Sequence, residues 1–285
     1  MKKVLYLFFA FALLAGKCKK DKTDDGTEEQ TYECLVKNVD YVAQNPQSGD
    51  IKEDHVTYKY KQGTNLIKQK TRLLVFATDS SDESYNLSYN YYYADENKGL
   101  LERVDLLFNQ IVYAKFIYTI QNDKYAERRI EWINNTGNGY DVIHKYTYTY
   151  DNNGKLIQER YQYFDVDNNG AGNIDETTVY TYTGDNATNA KVYDTNDMNT
   201  LKEEYNYQYD QGKQAFDNVL TKTYPKTHVN NVIHVEHNVY GVSPSMTITN
   251  ITVTYNNKDF PIKYEATDDR GNPVYTENVQ FDNCN

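Results

Sequence analysis

The sequence predicts an all-β chain, an antiparallel meander of about seven Tyr-rich hairpins closed or nearly closed into a β-barrel. Three observations predict it. Tyrosine and asparagine dominate, with 30 and 32 residues among 285, where soluble chains usually lean on Leu, Ala, Gly and Lys. A phrase that alternates Tyr with Thr or Asn and then turns through Asp, Asn, Gly and Lys recurs along the chain. Helix signals are nearly absent, because Tyr, Thr, Val and Asn are poor or indifferent helix formers. The best helical stretch, residues 97–109, also fits the hairpin phrase. The mean hydropathy is −0.84 although charged residues are an ordinary 25 %, so the polarity comes from Tyr, Asn, Thr and Gln. That aromatic and β-branched content disfavours a disordered chain.

The chain begins with an address. Residues 1–3 are a short basic start, residues 4–15 are apolar apart from Tyr6, and Gly16 gives a small-residue exit. Residues 1–17 therefore fit a secretory signal peptide, too short for a spanning helix, which needs about 20 apolar residues. Residues 18–30 follow as a charged, unstructured tether (KKDKTDDGTEEQ from Lys19), and residues 31–285 are expected to form a single β-repeat domain. The net charge is −11, and loss of Lys2, Lys3 and Lys17 with the leader makes the exported chain more acidic still. This disfavours nucleic acid, whose binding needs Lys and Arg to displace counterions, and adhesion to anionic headgroups.

The stretch Leu14-Ala15-Gly16-Lys17-Cys18 resembles a bacterial lipobox. The resemblance implies that Cys18 is lipidated and anchors the protein to a membrane. Lys17 departs from the pattern, since a small residue should precede the cysteine. Cleavage after Ala15 or Gly16 with release of the protein is the alternative. The charged run after Cys18 is either a sorting signal or a spacer.

Beyond residue 31, the last aromatic before each turn serves as an anchor: Tyr60, Tyr93, Tyr118, Tyr150, Tyr182, Tyr209 and Tyr255. Their spacing is that of a repeated supersecondary unit, with one long interval between Tyr209 and Tyr255. Alternation sends successive side chains to opposite faces, and Asp, Asn and Gly supply the positive-φ positions of tight turns. The core Tyr150-Asp151-Asn152-Asn153-Gly154-Lys155-Leu156 resembles the YD repeat of Rhs-type bacterial surface proteins, whose strands wind into β shells. Leader and Tyr-rich meander together are similar to envelope lipoproteins with a porin-like β fold. That resemblance implies an exported outer-membrane lipoprotein facing the periplasm or the cell surface. A meander this long must hide its edges. Closure into a barrel does so, and a strongly curved open sheet is the alternative. The outward-facing candidates alternate Tyr with Thr, Lys, Asn and Gln, so neither face offers the apolar band that a membrane-spanning barrel presents to lipid.

With Cys18 assigned to lipid, Cys34 and Cys284 remain, one at each end of the domain. In an oxidising envelope they are a natural disulfide pair that would bring the first and last strands together; two free thiols are the alternative. One segment has metal grammar. Asp165, Asp167, Asn169, the Ala171 carbonyl and Glu176 match the calcium-loop spacing, with Asp175 a substitute for Glu176. Gly172 stands where a branched apolar residue belongs, and the flanks 161–164 and 177–182 read as strands. The same residues suit a plain polar turn. His234, Glu236 and His237 lie on one strand, with His237 on the opposite face from the other two, a poor zinc set. No phosphate loop, nucleophile elbow or pair of acids aimed at one bond is evident.

These features predict a non-catalytic cell-envelope lipoprotein, a binding or structural module whose Tyr faces at 89–93, 146–150 and 205–209 suit a glycan or peptide. The competing expectation for those tyrosines is plain cross-strand packing that fills the barrel. The functional alternatives are a hydrolase of cell-envelope polymers and a calcium-stabilised surface adhesin, with Ca2+ the one candidate cofactor.

Overall fold

The computed structural model describes residues 32–44, 51–77, 82–134, 137–166, 172–282 and 284. Sixteen strands follow one another: β1 (Leu35–Gln44), β2 (Ile51–Tyr60), β3 (Ile67–Ala77), β4 (Asp82–Asp95), β5 (Leu100–Phe108), β6 (Ile111–Gln121), β7 (Lys124–Ile133), β8 (Tyr140–Tyr150), β9 (Leu156–Tyr163), β10 (Ile174–Thr183), β11 (Asn186–Asp194), β12 (Asp197–Tyr209), β13 (Val232–Val239), β14 (Ser245–Tyr255), β15 (Pro261–Thr267) and β16 (Pro273–Asp282). Each pairs antiparallel with its sequence neighbours, and β1 pairs with β16, so the sheet is a closed barrel. The open-sheet alternative is thereby overturned. The stretch 97–109 is strand, as β5.

The barrel has two strands more than seven hairpins supply. The seven anchors lie on β2, β4, β6, β8, β10, β12 and β14, and each of these strands except β12, which is followed by segment 210–231, turns into its odd-numbered successor. The extra pair is β1 and β16, which carry no anchor phrase and meet each other at the seam.

The turns follow from local chemistry. Asn109-Gln110 and Asn122-Asp123 take positive φ (50°, 66°, 50° and 62°) between β5 and β6 and between β6 and β7, as two-residue hairpins require. Asp151, Asn256 and Asp268 each accept two backbone N–H bonds on one side-chain oxygen at 2.7–3.0 Å. The Asp-x-x-Gly phrase of the repeat is thus an Asx-closed turn.

Bulges mark the anchors. The register slips between Lys59 and Tyr60, Tyr92 and Tyr93, Thr149 and Tyr150, Thr181 and Tyr182, Gln208 and Tyr209, and Thr254 and Tyr255. A bulge re-aims a side chain. Here it lets the anchor hydroxyl reach the preceding hairpin. Tyr60 donates to the Val36 carbonyl (2.7 Å), Tyr93 to Ile67 (2.7 Å), Tyr150 to Tyr125 (2.9 Å), Tyr182 to Leu156 (2.7 Å) and Tyr209 to Ala187 (2.5 Å). In the third repeat the slip lies between Thr119 and Ile120. Ile120 therefore holds the latch position without a hydroxyl, and Tyr118 is a core residue instead.

The anchors, the disulfide and the interval between β12 and β13 all belong to one end of the barrel. The core sits there too: Leu35, Ile67, Tyr91, Leu101, Tyr118, Tyr125, Tyr148 and Leu156 pack inside it. Segment 210–231 accounts for the long gap between Tyr209 and Tyr255. It folds across this end rather than forming a hairpin turn. Its Val219, Thr221 and Asn231 are buried, and Phe216 packs against both hydrophobic clusters of the molecule.

Candidate functional site

Alternation directs one face of every strand into the barrel. On β4 that face carries Tyr89, Tyr91 and Tyr93, on β8 Tyr146 and Tyr148, and on β12 Tyr205 and Tyr207; the first and second groups pack with the core. The outward face is polar. Around β7 to β10 it carries Glu127 paired with Lys145 (2.8 Å), Arg129 between Glu127 and Glu131, and Arg160 donating to Asp175 (2.8 Å). Charges at mid-strand on a lipid-facing wall cost about 2–4 kcal/mol each at the bilayer midplane. The outer face of β7 to β10 is charged, and the tyrosines of β4, β8 and β12 named above face the interior.

The plugged end is sealed by specific bonds. The Leu220 N–H donates to Asn65 (3.1 Å), Lys222 to Gly99 (2.9 Å) and Ala187 to the Thr227 carbonyl (2.7 Å). The Ile67 N–H donates to the Thr221 hydroxyl (2.8 Å), and the Asn218 amide donates to the Glu33 carbonyl (2.9 Å). Tyr125 receives the Leu101 N–H (2.8 Å) and donates to the Lys222 carbonyl (2.6 Å). Asn231 ties the segment to β14 and β15 through Tyr255 and Tyr264 (both 2.9 Å), and Tyr255 also donates to Asp210. On the inner surface the Arg128 guanidinium lies between the rings of Tyr146 (4.1 Å) and Tyr224 of the plug (4.0 Å). The plug thus contacts β3, β5, β7, β11, β14 and β15 at this end.

Above the plug the lumen carries ionisable groups that are walled by protein yet only partly shielded from solvent. Arg72 grips Asp54 through Nε at 2.9 Å to each carboxylate oxygen. Lys70 stands over the rings of Tyr89 (5.0 Å) and Tyr58 (6.0 Å). Burial lowers its pKa to about 8, with Arg72 adding to the effect. Burial pushes Glu277 up to about 7, and the Asp54 charge acts in the same direction. Burial also raises Glu159, against the pull of Arg128. Burial in the plug lowers His228 to about 4, and Lys226 lowers it further.

Nearer the mouth the lumen is aromatic. Trp132 lies 5.8 Å from Tyr113 and 6.3 Å edge-on to His144, which stacks on Tyr161 at 5.9 Å. On another wall Tyr205 stacks on His237 at 4.2 Å, and Glu203 accepts from Tyr205 (2.6 Å) and contacts His237 (3.1 Å).

The structure bonds Cys34 to Cys284, with Cα atoms 4.4 Å apart. Cys18, Asp167, Asn169 and Ala171 lie outside the described residues. Asp165 sits at the mouth between β9 and β10, where its carboxylate accepts the Gly172 N–H (3.1 Å). Glu176 pairs with Lys202 (3.1 Å), and Asp175 pairs with Arg160 on the outer wall. His234 bonds Asn250 (2.8 Å) outside while His237 faces inward. Among the described residues no three His, Cys, Asp or Glu side chains form a metal centre. Sequence reasoning did not single out Trp132, Lys70, Arg72, Arg128, Glu159 or Glu277. The in-phase position of Lys70 and Arg72 two residues apart was one available signal. The long anchor interval was the signal for the plug.

No protein-family model and no curated protein matches this sequence. Among solved structures the barrel is similar to a porin-like protein from Bacteroides uniformis, with a TM-score of 0.54 and 11% identity over 87% of this chain and 98% of that one. A porin-like protein from Bacteroides vulgatus aligns over 88% of this chain and 99% of that one at 10% identity, with a TM-score of 0.29. A Tc holotoxin pore from Photorhabdus luminescens aligns over 82% of this chain but only 15% of that one, at 11% identity and a TM-score of 0.19. The likeness to the first shows a shared closed antiparallel β-barrel fold.

Proposed function

We propose that this chain is a non-catalytic barrel of the bacterial envelope that works as a cup. One end is stoppered by its own chain, and the aromatic lumen receives a polar ligand, a glycan or a peptide, through the other. The observation that carries this reading is segment 210–231, bonded across one end to β3, β5, β7, β11, β14 and β15. The leader and Cys18 support export and tethering to the outer membrane by lipid, with the water-facing wall standing clear of the bilayer. A tether of this kind needs no spanning strands, since acyl chains anchor by about 0.8 kcal/mol per buried CH2.

Two measurements test it. Full-length protein added to planar bilayers should give no channel conductance, and steady single-channel steps would sink the cup. Cells expressing the chain should incorporate labelled palmitate at Cys18, and Cys18→Ser should abolish the label.

A further inference from the structure

The mouth of the lumen leaves large rings open. Trp132 and Tyr113 are 40% and 42% exposed, although burial of apolar surface is worth about 25 cal/mol per Å2. They are held side by side, and Trp132 is braced edge-on by His144, which Tyr161 supports through its ring and through a 3.0 Å bond to Nδ1. A second ring stack, Tyr205 on His237, stands on the β12–β13 wall.

The surroundings restrict what can lie against these rings. The lumen cations are matched by carboxylates. Asp54 is held by Arg72 and Lys202 by Glu176 and Asp194, while Glu203 accepts from Tyr205. Lys52, Lys70 and Arg128 share the lumen with Glu159 and Glu277. A phosphorylated or strongly anionic ligand finds no excess of cations. A lipid chain would meet Lys70 and the Asp54–Arg72 pair on the same wall as Leu74, Phe76 and Leu87. A peptide adding as a strand needs an open sheet edge, and every strand here is paired on both sides. A neutral sugar satisfies all three conditions. The C–H face of a pyranose lies on an aromatic ring, and its hydroxyl edge meets phenol, imidazole and carboxylate groups. Separate ring stations on two walls suit an oligosaccharide better than one sugar unit.

We propose that Tyr113, Trp132, His144 and Tyr161 form the sugar-stacking subsite of a cup for neutral oligosaccharides, an inference that rests on the cup reading above. Trp132 is the single tryptophan of the chain, so its emission reports this subsite alone. Full-length protein is titrated with neutral oligosaccharides of the gluco-, manno-, xylo- and N-acetylglucosamine series, and separately with a mixed peptide digest. A saturable emission change with at least one sugar series is expected. Calorimetry should then show that Trp132→Ala weakens that sugar about tenfold. Trp132→Phe, which keeps a ring and guards against a folding defect, should weaken it less. Tyr92→Ala on the outer wall should leave affinity unchanged. Unaltered emission with every sugar series overturns the proposal, as does Trp132→Ala binding with full affinity. A response to peptides alone overturns the sugar and leaves the cup standing, whereas channel conductance removes the cup itself.

Discussion

Tyr182 shows what the repeat asks of a tyrosine. Its ring packs inward from β10, and the bulge beside it swings the hydroxyl onto the Leu156 carbonyl at 2.7 Å. Tyr60, Tyr93, Tyr150 and Tyr209 do the same on their own hairpins. Packing alone would tolerate phenylalanine, but the latch does not. Tyr182→Phe should cost about 0.5–1.5 kcal/mol in denaturant unfolding, the net worth of one hydrogen bond, while Tyr92→Phe should be neutral. Glu277 makes the opposite point, a residue whose position costs stability. Its pKa is raised from 4.5 to about 7 by burial. Below pH 4.5 the side chain is neutral in both folded and unfolded chains. Between pH 4.5 and 7 the unfolded chain releases the proton first, and above 7 the charge is held inside the wall at full cost. Thermal melts of Glu277→Gln should therefore match the parent at pH 4.5 and rise above it at pH 8. The gap should be about 2–4 °C for each kcal/mol relieved.

At the scale of elements, the plug is the part that departs from the repeat. It has little regular structure, so its order comes from bonds to the strands it crosses. Gly99 shows how close that contact is. A Cβ built there would lie 1.8 Å from the Leu220 carbonyl oxygen, with φ at +65°. Two backbones meet and neither can give way, so Gly99→Ala should unseat the plug at a cost of roughly 2–4 kcal/mol and open segment 210–231 to limited proteolysis. Gly63 has the same φ of +65° with nothing nearby. Gly63→Ala should cost only the left-handed strain, about 1–2 kcal/mol, and leave the plug resistant to protease. Equal proteolysis of the two variants would show that the plug is not seated on Gly99.

Over the whole molecule, closure depends on one seam between the first and last strands. The chain must bring β1 and β16 together across nearly its full length, and the bond between Cys34 and Cys284 spans 250 residues of sequence. Cross-linking a loop of even 100 residues is worth about 4.7 kcal/mol in the chain-entropy model. Cys34→Ser, or reductant, should lower stability by up to about 5 kcal/mol. Hydrogen exchange should rise first along β1 and β16. A melt insensitive to reductant would show that the seam holds without the bond.

Much of this architecture was legible in the chain. Alternating tyrosines define the inward and outward faces, Asp-x-x-Gly defines the turns, and two cysteines at the domain ends point to a seam. These are local properties, set by side-chain alternation and backbone turn chemistry, and a single hairpin already expresses them. The strand count was short by two because β1 and β16 carry no repeat phrase and pair only with each other and with their neighbours. Tertiary structure alone decided the rest. Which hydroxyl latches which carbonyl depends on bulges that only paired registers create. Segment 210–231 is polar and irregular by sequence, and it becomes a stopper because the barrel end offers it unpaired backbone groups at Asn65, Ile67 and Gly99. Trp132, His144 and Tyr161 lie on the consecutive strands β7, β8 and β9, and which ring meets which is set by the paired registers and by the bulge at Ile130 and Glu131. By itself the sequence determined a sheet with its rings on one side, and closure of that sheet turned this side into an interior stoppered at one end.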